Sequence, residues 1–281
     1  MKKIMKYIIQ PLIISLGLLL SGCESNEKQT VATLTNLVWA DEFDNNGSPD
    51  STKWNLVTGD GTEQGIPGWG NNELQTYTDN PENITVQNGV LIITAKKESL
   101  EGKSYTSARI NTKDLYQQKY GRFEARIKVP TGKGLWPAFW LLGDNDDGRL
   151  VWPQVGEIDI MEYLGDKPTT MFGTVHGPGY SGGASISKEY KLANNRFDNG
   201  FHIFGVEWSP NRINFYVDGD LYQSLTPENI EEETNGEAEW VFNRPFYIIL
   251  NIAVGGNLPG SPNEDTSFPQ RMLVDYVRVY N

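Results

Sequence analysis

Hydrophobic and polar residues alternate along short segments of this chain, which is the pattern of half-buried β-strands. The clearest case is Tyr120 to Pro130 (YGRFEARIKVP), where one face carries the apolar side chains and the other carries arginine, glutamate and lysine. The apolar residues of this segment are Phe123, Ala125, Ile127 and Val129. We find no long helical stripe and no internal repeat, so the pattern predicts a chain built from many short strands.

Other segments fit the same description and are separated by turn residues. Gly89 to Lys97 is rich in β-branched residues and is opened by Asn-Gly, and Asp218-Gly219 predicts a tight hairpin. Further predicted strands are Phe201 to Trp208, Ile213 to Val217, Phe246 to Val254 and Met272 to Tyr280. Short strands joined by Gly, Pro and Asn turns, with no interleaved helices, predict two packed antiparallel sheets.

The segment Gly156 to Gly165 (GEIDIMEYLG) does not fit a regular strand. Side chains alternate faces, so Glu157 and Asp159 share one face, whereas Glu162, five residues after Glu157, points to the other. One extra residue near Ile160-Met161, as in a β-bulge, would shift the alternation and bring all three acids to one face. Bulges are enriched beside active sites because they re-aim a side chain.

Three carboxylates on one face repel one another unless they share protons or have a catalytic task. Retaining glycosidases need two carboxyl groups about 5–5.5 Å apart, one as nucleophile and one as proton donor. The backbones of Glu157 and Glu162 would lie roughly 13 Å apart along a strand, a gap that two glutamates leaning together across a concave sheet can largely close. Alone, the pattern E-x-D-x-x-E is also compatible with a calcium-binding cluster or a charged strand edge.

The first 36 residues carry signals for export rather than for folding. Three lysines precede the apolar run Ile8 to Leu20, which is typical of a secretory signal peptide and too short for a membrane-spanning helix. Leu20-Ser21-Gly22-Cys23 resembles a bacterial lipobox, which implies cleavage after residue 22 and lipid attachment to Cys23. An ordinary signal peptide with an incidental cysteine is the alternative. We therefore expect a signal peptide in 1–22, a lipidated cysteine and polar tether in 23–36, and one β-sandwich domain in 37–281.

The charge of the chain limits its partners. Without the three lysines near its start, 21 basic residues stand against 36 acidic ones, a net charge of −15. Such acidity disfavours nucleic acid, anionic lipid and sulfated polymers, and permits a neutral polymer. Cys23 is the only cysteine, so its lipidation would leave no thiol for a disulfide, a zinc site or a nucleophile.

The segment GEIDIME resembles the catalytic signature of glycoside hydrolase family 16, in the variant with a bulge-forming methionine. That variant occurs in laminarinase-type endo-1,3-β-glucanases, whereas lichenases have a shorter, bulge-free form. Other segments resemble the family in the expected order, over about residues 37 to 281. They are VWADEF from Val38, GWGNNELQTYT from Gly68, SARI from Ser107, GLWPAFWLL from Gly134, His176-Gly177, GVEW from Gly205, NIAVGG from Asn251 and DYVRVY from Asp275.

The resemblance implies an all-β fold, a β-jelly-roll sandwich of two curved antiparallel sheets with a concave substrate cleft. It also implies a role for each acid. Glu157 would be the nucleophile and Glu162 the acid/base, and Asp159 would be the assisting carboxylate that holds protons where they are needed.

Aromatic residues are candidates for stacking against glucose rings. Trp136 and Trp140 are four residues apart in a strand-like run and so share a face. We expect both on the concave face, and core packing is the alternative because aromatic residues dominate cores. Trp69 lies in a Gly/Asn-rich loop and is expected to form a platform at the edge of the cleft. Trp152, just before the acidic strand, is a further candidate for shaping the cleft.

Polar residues near these positions are candidates for substrate binding. Asn71 and Glu73 can bond sugar hydroxyls, or can instead stabilise their own loop. The resemblance places Arg109 in the cleft, where it would hold at least one of the acids ionised; a surface ion pair is the alternative. His176, one strand after the acids, could donate to the substrate or reach the acid/base.

The resemblance also implies a structural calcium ion on the convex face, which we assign to Glu42, Gly89 and Asp275. Calcium takes six to eight oxygen ligands, many of them from backbone and water, so few are visible in a sequence. A simple surface aspartate is the alternative for Asp275. No cofactor is expected for catalysis.

These observations predict a lipoprotein enzyme anchored through Cys23 to the bacterial cell envelope, at the outer membrane or cell surface, and acting as a monomer. It would cleave internal β-1,3 bonds of neutral β-glucan with retention of configuration. The alternatives are a mixed-linkage glucan or marine galactan hydrolase of the same family, a non-catalytic surface glycan-binding lipoprotein, and a calcium-dependent adhesion sandwich. A pure binder would not need to keep both glutamates.

Overall fold

The computed structural model describes residues 34–145, 148–234, 236 and 238–281. The predicted signal peptide, Cys23 and most of the tether lie outside the described residues. The described residues form one short α-helix and many strands. The strands are β1 Leu37–Asp41, β2 Asn55–Val57, β3 Gln75–Tyr77, β4 Ile84–Gln87, β5 Val90–Ala95, β6 Tyr105–Ser107, β7 Arg109–Asn111, β8 Gly121–Lys128, β9 Leu135–Gly143, β10 Glu157–Tyr163, β11 Thr170–His176, β12 Ile186–Lys191, β13 His202–Ser209, β14 Arg212–Val217, β15 Asp220–Leu225, β16 Phe246–Val254 and β17 Gln270–Tyr280.

Two large antiparallel sheets hold almost all of these strands. The first has the order β15-β14-β13-β8-β17-β5-β4, with β1 also paired to β17. The second has the order β12-β11-β10-β9-β16-β7-β2, and β3 and β6 form a small parallel pair. Sequence neighbours are often far apart in the sheets, so long connections cross between them. The predicted β-jelly-roll sandwich is confirmed.

The alternation in the sequence decides which side chains enter the core. Phe123, Ala125, Ile127 and Val129 of the predicted segment are at most 2% exposed, and β8 is flanked by β13 and β17 at the centre of the first sheet. Burial of an aliphatic or aromatic side chain of this size contributes about 1.5–3 kcal/mol to the free energy of unfolding. The apolar face of β8 is therefore enough to fix its orientation.

The predicted hairpin at Asp218-Gly219 joins β14 to β15. Both residues have positive φ angles, 52° and 86°. Asp tolerates and Gly favours this left-handed conformation, and two such residues in sequence match the twist of the paired strands. Local turn chemistry therefore specified this connection directly.

The second sheet has one covered face and one open face. Its covered face packs on the first sheet through fully buried side chains such as Phe139, Ile158 and Leu250, each 0% exposed. The open face is defined here by the side chains of β9, β10, β11 and β16 that point away from this core. It is the only large sheet surface on which the predicted acids and tryptophans meet in the part of the chain that is described.

Helix α1 (Pro227–Glu233) begins with a capping box in which the Thr226 side chain accepts from the Asn229 amide. Among the described residues, no helix is both long and apolar enough to cross a bilayer.

Candidate active site

A bulge in β10 places the three acids together. Asp159 pairs with Trp140 of β9, but the next pair is Met161 with Phe139, so one residue of β10, Ile160, has no partner of its own. The register against β11 shifts over the same interval. Ile160 and Met161 both turn into the core, at 1% and 0% exposure. The predicted bulge is confirmed.

The bulge leaves Glu157, Asp159 and Glu162 on the open face. Their neighbours on this face follow from the strand pairing, since residues directly opposite in an antiparallel pair share a face. Glu157 lies opposite His176, and Glu162 lies opposite Ala138. The three acids therefore line one row of side chains along the middle of the sheet.

Asp159 is the most strongly perturbed of the three. It is 4% exposed, and burial together with the charges of Glu157 and Glu162 raises its pKa well above the usual range. His176 Nε2 lies 3.1 Å from Asp159 Oδ2 and opposes that rise. Desolvation and the two neighbouring like charges therefore favour the protonated form of this carboxyl.

Glu162 is also buried, at 8% exposure. Burial raises the pKa of its carboxyl, and the hydroxyl of Thr174, which donates to Glu162 Oε2 over 2.7 Å, works against that rise. A glutamic acid that keeps its proton towards neutral pH is suited to act as a general acid. Thr174 also fixes the direction of the carboxyl, because one of its two oxygens is held.

Glu157 has more access to solvent than its neighbours, with 17% of its side chain exposed against 6% for Asp159. Its Oε2 accepts a hydrogen bond of 2.7 Å from the indole Nε1 of Trp152. Its Oε1 lies 3.7 Å from His176 Nε2. The two glutamates therefore occupy different surroundings, a polar one for Glu157 and a buried one for Glu162, which suits two carboxyl groups with different roles.

His176 connects the acids to a backbone amide. Burial disfavours its charged form, but the contact with Asp159 and the charges of Glu157 and Glu162 outweigh this and raise its pKa to about 9. However, its Nδ1 accepts a hydrogen bond of 3.1 Å from the Gly182 N–H, which requires an unprotonated nitrogen. The pKa of Asp159 is raised as well, and both shifts favour a proton between Asp159 Oδ2 and His176 Nε2, which lie 3.1 Å apart.

Glu157, Asp159 and His176 also have side chains of the types that bind metal ions. The ligand atoms of Glu157, Asp159 and His176 all lie within 4.8 Å of one another, the one such group of three among the described residues. A histidine that binds a metal usually donates its second N–H to an acceptor. Here the second nitrogen faces a donor, Gly182 N–H. The group therefore fits proton sharing better than a cation.

The predicted calcium residues Glu42, Gly89 and Asp275 are all close to β17. Glu42 follows β1, and Gly89 lies in the turn before β5, both of which pair with β17. Both oxygens of Glu42 accept from Arg278, at 2.8 and 2.9 Å, and Asp275 accepts from Arg126 at 2.7 Å. Each acid is already neutralised by an arginine, so these residues do not fit a calcium site well. No step of the mechanism depends on calcium.

The predicted tryptophans lie on the same face as the acids. Trp140 is directly opposite Asp159, and Trp136 is opposite Ala253 on β16. Both side chains are half-buried, as expected of residues on the open face rather than in the core. Trp140 Nε1 donates to Asn251 Oδ1 over 2.8 Å, which fixes its ring.

Trp69 differs from its predicted role. It is 8% exposed, and its ring lies 5.5 Å from that of Tyr77 and 4.5 Å from the guanidinium of Arg109. An exposed stacking platform is therefore the wrong description. The loop turns back on itself at Gly68 and Trp69, which both have positive φ, and this directs the indole inward.

Arg109 also differs from its predicted role. Its guanidinium lies between two indoles, 4.5 Å from the Trp69 ring and 4.9 Å from the Trp140 ring. In the described residues it makes no ion pair with any of the three acids. Its charge instead acts on Glu73, where it opposes the rise in pKa that burial causes. Arg109 thus stiffens the aromatic wall by cation–π contacts.

Glu73 and Asn71 stabilise their loop, which was the alternative interpretation. Glu73 is 7% exposed, and burial raises its pKa despite opposing hydrogen bonds. Gln75 donates to Glu73 over 2.6 Å, Asn71 over 3.4 Å and Tyr77 over 3.3 Å. The Tyr77 hydroxyl in turn accepts from Asn251, the residue that holds Trp140. A hydrogen-bonded chain therefore runs from Glu73 to Trp140.

Two residues of this site, Thr174 and Asn251, were not singled out from the sequence. Thr174 is two residues before His176 in β11, so strand alternation alone could have placed it on the same face. Asn251 lies in the NIAVGG segment, but only strand pairing shows that it lies opposite Ala138 and Arg109.

Comparison with known proteins identifies relatives across the whole domain. The profile of glycosyl hydrolases family 16 matches residues 71–278. A beta-glucanase of Rhodothermus marinus is 41% identical over 285 residues, covering 100% of this chain and 96% of the relative.

Solved structures of related proteins share this fold over most of the chain. The laminarinase catalytic domain of Thermotoga maritima is 52% identical, with a TM-score of 0.82, over 88% of this chain and 98% of that one. The endo-β-1,3-glucanase of Pyrococcus furiosus is 46% identical, with a TM-score of 0.83, over 89% and 98%. Identities of this size, over most of both chains, establish common ancestry.

Proposed function

Because the chain belongs to family 16 of the glycosyl hydrolases, we propose that it is an endo-acting glycoside hydrolase that cleaves β-1,3 bonds in neutral, laminarin-type glucans. The observation that carries the proposal is the bulge in β10, which gathers Glu157, Asp159 and Glu162 on one open face. Relatives named as laminarinase and endo-β-1,3-glucanase support the choice of linkage. The net charge of −12 is consistent with a neutral polymer.

In the first step, Glu162 transfers its proton to the glycosidic oxygen as the bond from that oxygen to the anomeric carbon breaks. Glu157 attacks the same carbon from the opposite side and forms a covalent glycosyl-enzyme. The leaving chain departs with the proton. The raised pKa of buried Glu162 supports this role, because it keeps the acid form available at higher pH.

In the second step, Glu162, now an anion, accepts a proton from a water molecule that attacks the anomeric carbon. Glu157 leaves as a carboxylate, and Glu162 is again protonated. Two inversions at one carbon retain the original configuration. Asp159 and His176, which share a proton beside Glu157, keep the charge of the acidic cluster low in both steps.

The bound glucan would lie along the open face, over the half-buried rings of Trp136 and Trp140. Sugar rings have apolar faces that stack on aromatic side chains, and the ordered Trp140 ring costs little entropy on binding. Arg109 holds this ring by a cation–π contact, and Asn251 holds it by a hydrogen bond. An open sheet face fits an internal segment of a polymer, which supports endo action.

Product analysis on laminarin, mixed-linkage glucan, agarose and carrageenan, compared side by side, tests the substrate. We expect laminarin to be cut into oligosaccharides with a rapid fall in chain length and with β-anomeric products in the first minutes. If one of the other three polymers were cleaved as fast as laminarin or faster, the proposed β-1,3 specificity would be wrong. Binding of laminarin without any cleavage would favour a glycan-binding protein.

We also propose that the enzyme is held at the bacterial cell envelope through a lipid on Cys23, a residue outside the described part of the chain. The proposal rests on the lysines, the apolar run and the small residues before Cys23. A tether up to residue 36 would let the domain reach an insoluble polymer.

The variant Cys23→Ala should release the enzyme from membranes and leave its specific activity unchanged. The reason is that a stable anchor needs the lipid, while the site lies on β10 and its neighbours. Fractionation of cells into membrane and soluble pools measures the first effect, and laminarin assays measure the second. The matched control is Ser21→Thr, and persistent membrane association of Cys23→Ala would contradict the proposal.

A further inference from the structure

Trp152 is exposed to solvent and also makes a specific hydrogen bond. Its side chain is 47% exposed, and yet its indole N–H donates a hydrogen bond of 2.7 Å to a carboxylate, Glu157 Oε2. An exposed indole normally gains free energy by moving out of water, so a specific contact is needed to hold it at this place.

The contact divides the two oxygens of Glu157 between different partners. Oε2 is held by Trp152, whereas Oε1 lies on the side of His176, 3.7 Å from its Nε2. The Trp152 and His176 rings are 5.9 Å apart at 48°, so the indole borders the same end of the acidic row. Glu157 therefore has one oxygen held by the indole and a second oxygen that faces His176.

A nucleophilic carboxylate needs different surroundings for its two oxygens. The attacking oxygen forms the bond to the anomeric carbon and later leaves it, while the other oxygen carries the remaining negative charge. A donor on that second oxygen stabilises the carboxylate and restricts rotation of the group, so that the first oxygen stays aimed.

We propose that Trp152 is a positioning residue for Glu157, whose N–H holds Oε2 so that Oε1 is the attacking oxygen, and whose exposed ring forms the rim of the cleft at this end. The inference deepens the proposed function and rests on Glu157 as the nucleophile. It assigns to the loop before β10 a part in the reaction that neither the acids nor the stacking tryptophans supply.

The packing of Trp152 argues against a role in stabilising the fold alone. It belongs neither to the buried core nor to the partly buried residues packed on it, and His176 is the one aromatic ring in contact with it among the described residues. Removing an indole that is half in solvent leaves only a small cavity, so the stability of the fold should change little.

Two substitutions separate the N–H from the ring. Trp152→Phe keeps an aromatic ring and loses the donor, and we expect kcat on laminarin to fall about tenfold or more with little change in KM. Trp152→Ala loses both, and we expect a similar fall in kcat together with a several-fold rise in KM. The matched control Val151→Ala, at the more exposed neighbouring position, should behave as the wild-type enzyme.

Two readouts distinguish positioning from structural support. The acid limb of the kcat/KM profile should move to higher pH in Trp152→Phe, because a donor that favours the carboxylate is lost. The melting temperature of all three variants should stay within a few degrees of the wild type. The proposal would be overturned if Trp152→Phe kept the kinetics and the pH profile of the wild-type enzyme. It would also be overturned if the loss of activity in the variants simply followed a lowered melting temperature.

A measurement without turnover keeps this inference apart from the proposed function. In the 15N-labelled full-length protein, the indole N–H resonance that disappears in Trp152→Phe should shift with pH at acid values and should stop shifting in Glu157→Gln. A resonance that does not respond to the Glu157 substitution would refute the contact itself. Suppose that the resonance behaves as expected and that the wild-type enzyme cleaves laminarin. Full activity of Trp152→Phe would then refute the positioning role of Trp152 and leave the proposed function intact.

Discussion

The variant Glu157→Gln is expected to lose laminarin hydrolysis by a factor on the order of 10⁵, while its fold and its affinity for the glucan persist. An amide has no charged oxygen to form the covalent intermediate, so the first step stops. The substitution keeps the shape of the side chain, and the amide oxygen can still accept from Trp152 Nε1. Release of reducing ends, thermal unfolding and binding to immobilised laminarin give the three measurements.

A matched control uses another acid of the same sheet. Glu189 lies on β12 opposite Phe172, pairs with Lys191 and is 44% exposed at its side chain. Glu189→Gln should therefore leave turnover almost unchanged. Turnover of Glu157→Gln close to that of Glu189→Gln would contradict the assignment of the nucleophile.

Chemical rescue sharpens the same prediction. Glu157→Ala leaves space for a small anion such as azide beside the anomeric carbon. With an aryl β-glucoside that carries a good leaving group, azide should restore turnover and give a glycosyl azide of inverted configuration. Identification of the α-azide would show that Glu157 occupies the face from which the nucleophile attacks. A β-azide would indicate a different arrangement.

The variant Glu162→Gln is expected to slow laminarin hydrolysis by about 10²–10⁴-fold, because it removes the proton donor. An aryl glycoside with a good leaving group does not need that proton, so its first step should remain fast and the covalent intermediate should accumulate. A burst of phenol followed by slow turnover measures this. An unchanged rate on laminarin, or an equal loss on both substrates, would argue against an acid/base role.

The pH dependence of stability gives an independent test of the same side chain. Burial raises the folded-state pKa of Glu162, so the carboxyl favours the folded state most below its unfolded pKa of about 4.3, and that contribution is lost as pH rises through the raised value. Glutamine has no charged form. The melting temperature of Glu162→Gln relative to wild type should therefore increase from acid to neutral pH. A relative stability that falls with pH would mean that Glu162 is not held in its acid form.

Local patterns along the chain were sufficient to predict the fold and to place the three acids on one face. Alternation placed Phe123, Ala125 and Ile127 in the core, and the positive-φ pair Asp218-Gly219 closed its hairpin. The spacing of Glu157, Asp159 and Glu162 also has a local cause, because only a bulge lets these positions share one face. Periodicity and turn chemistry act between near neighbours, and so they can be read from a sequence.

The roles of the loop side chains were harder to predict from the sequence, because these side chains contact residues that are far away along the chain. Trp69 was expected at the edge of the cleft, but its loop turns inward and packs on Arg109. Glu73 was expected to bind sugar, but it is the buried end of a chain of hydrogen bonds through Tyr77 and Asn251. Residue type and loop composition are the same for an inward and an outward side chain, so neither could decide between them.

The sequence by itself determined the sandwich, the open face of one sheet and the three acids that meet on it, because strand periodicity and one bulge follow from neighbouring residues. Only the tertiary structure decided how these acids differ. Burial and Thr174 surround Glu162, whereas Trp152 and solvent surround Glu157. Desolvation and hydrogen bonding set the proton affinity of a carboxyl, and both depend on which distant segments fold over it.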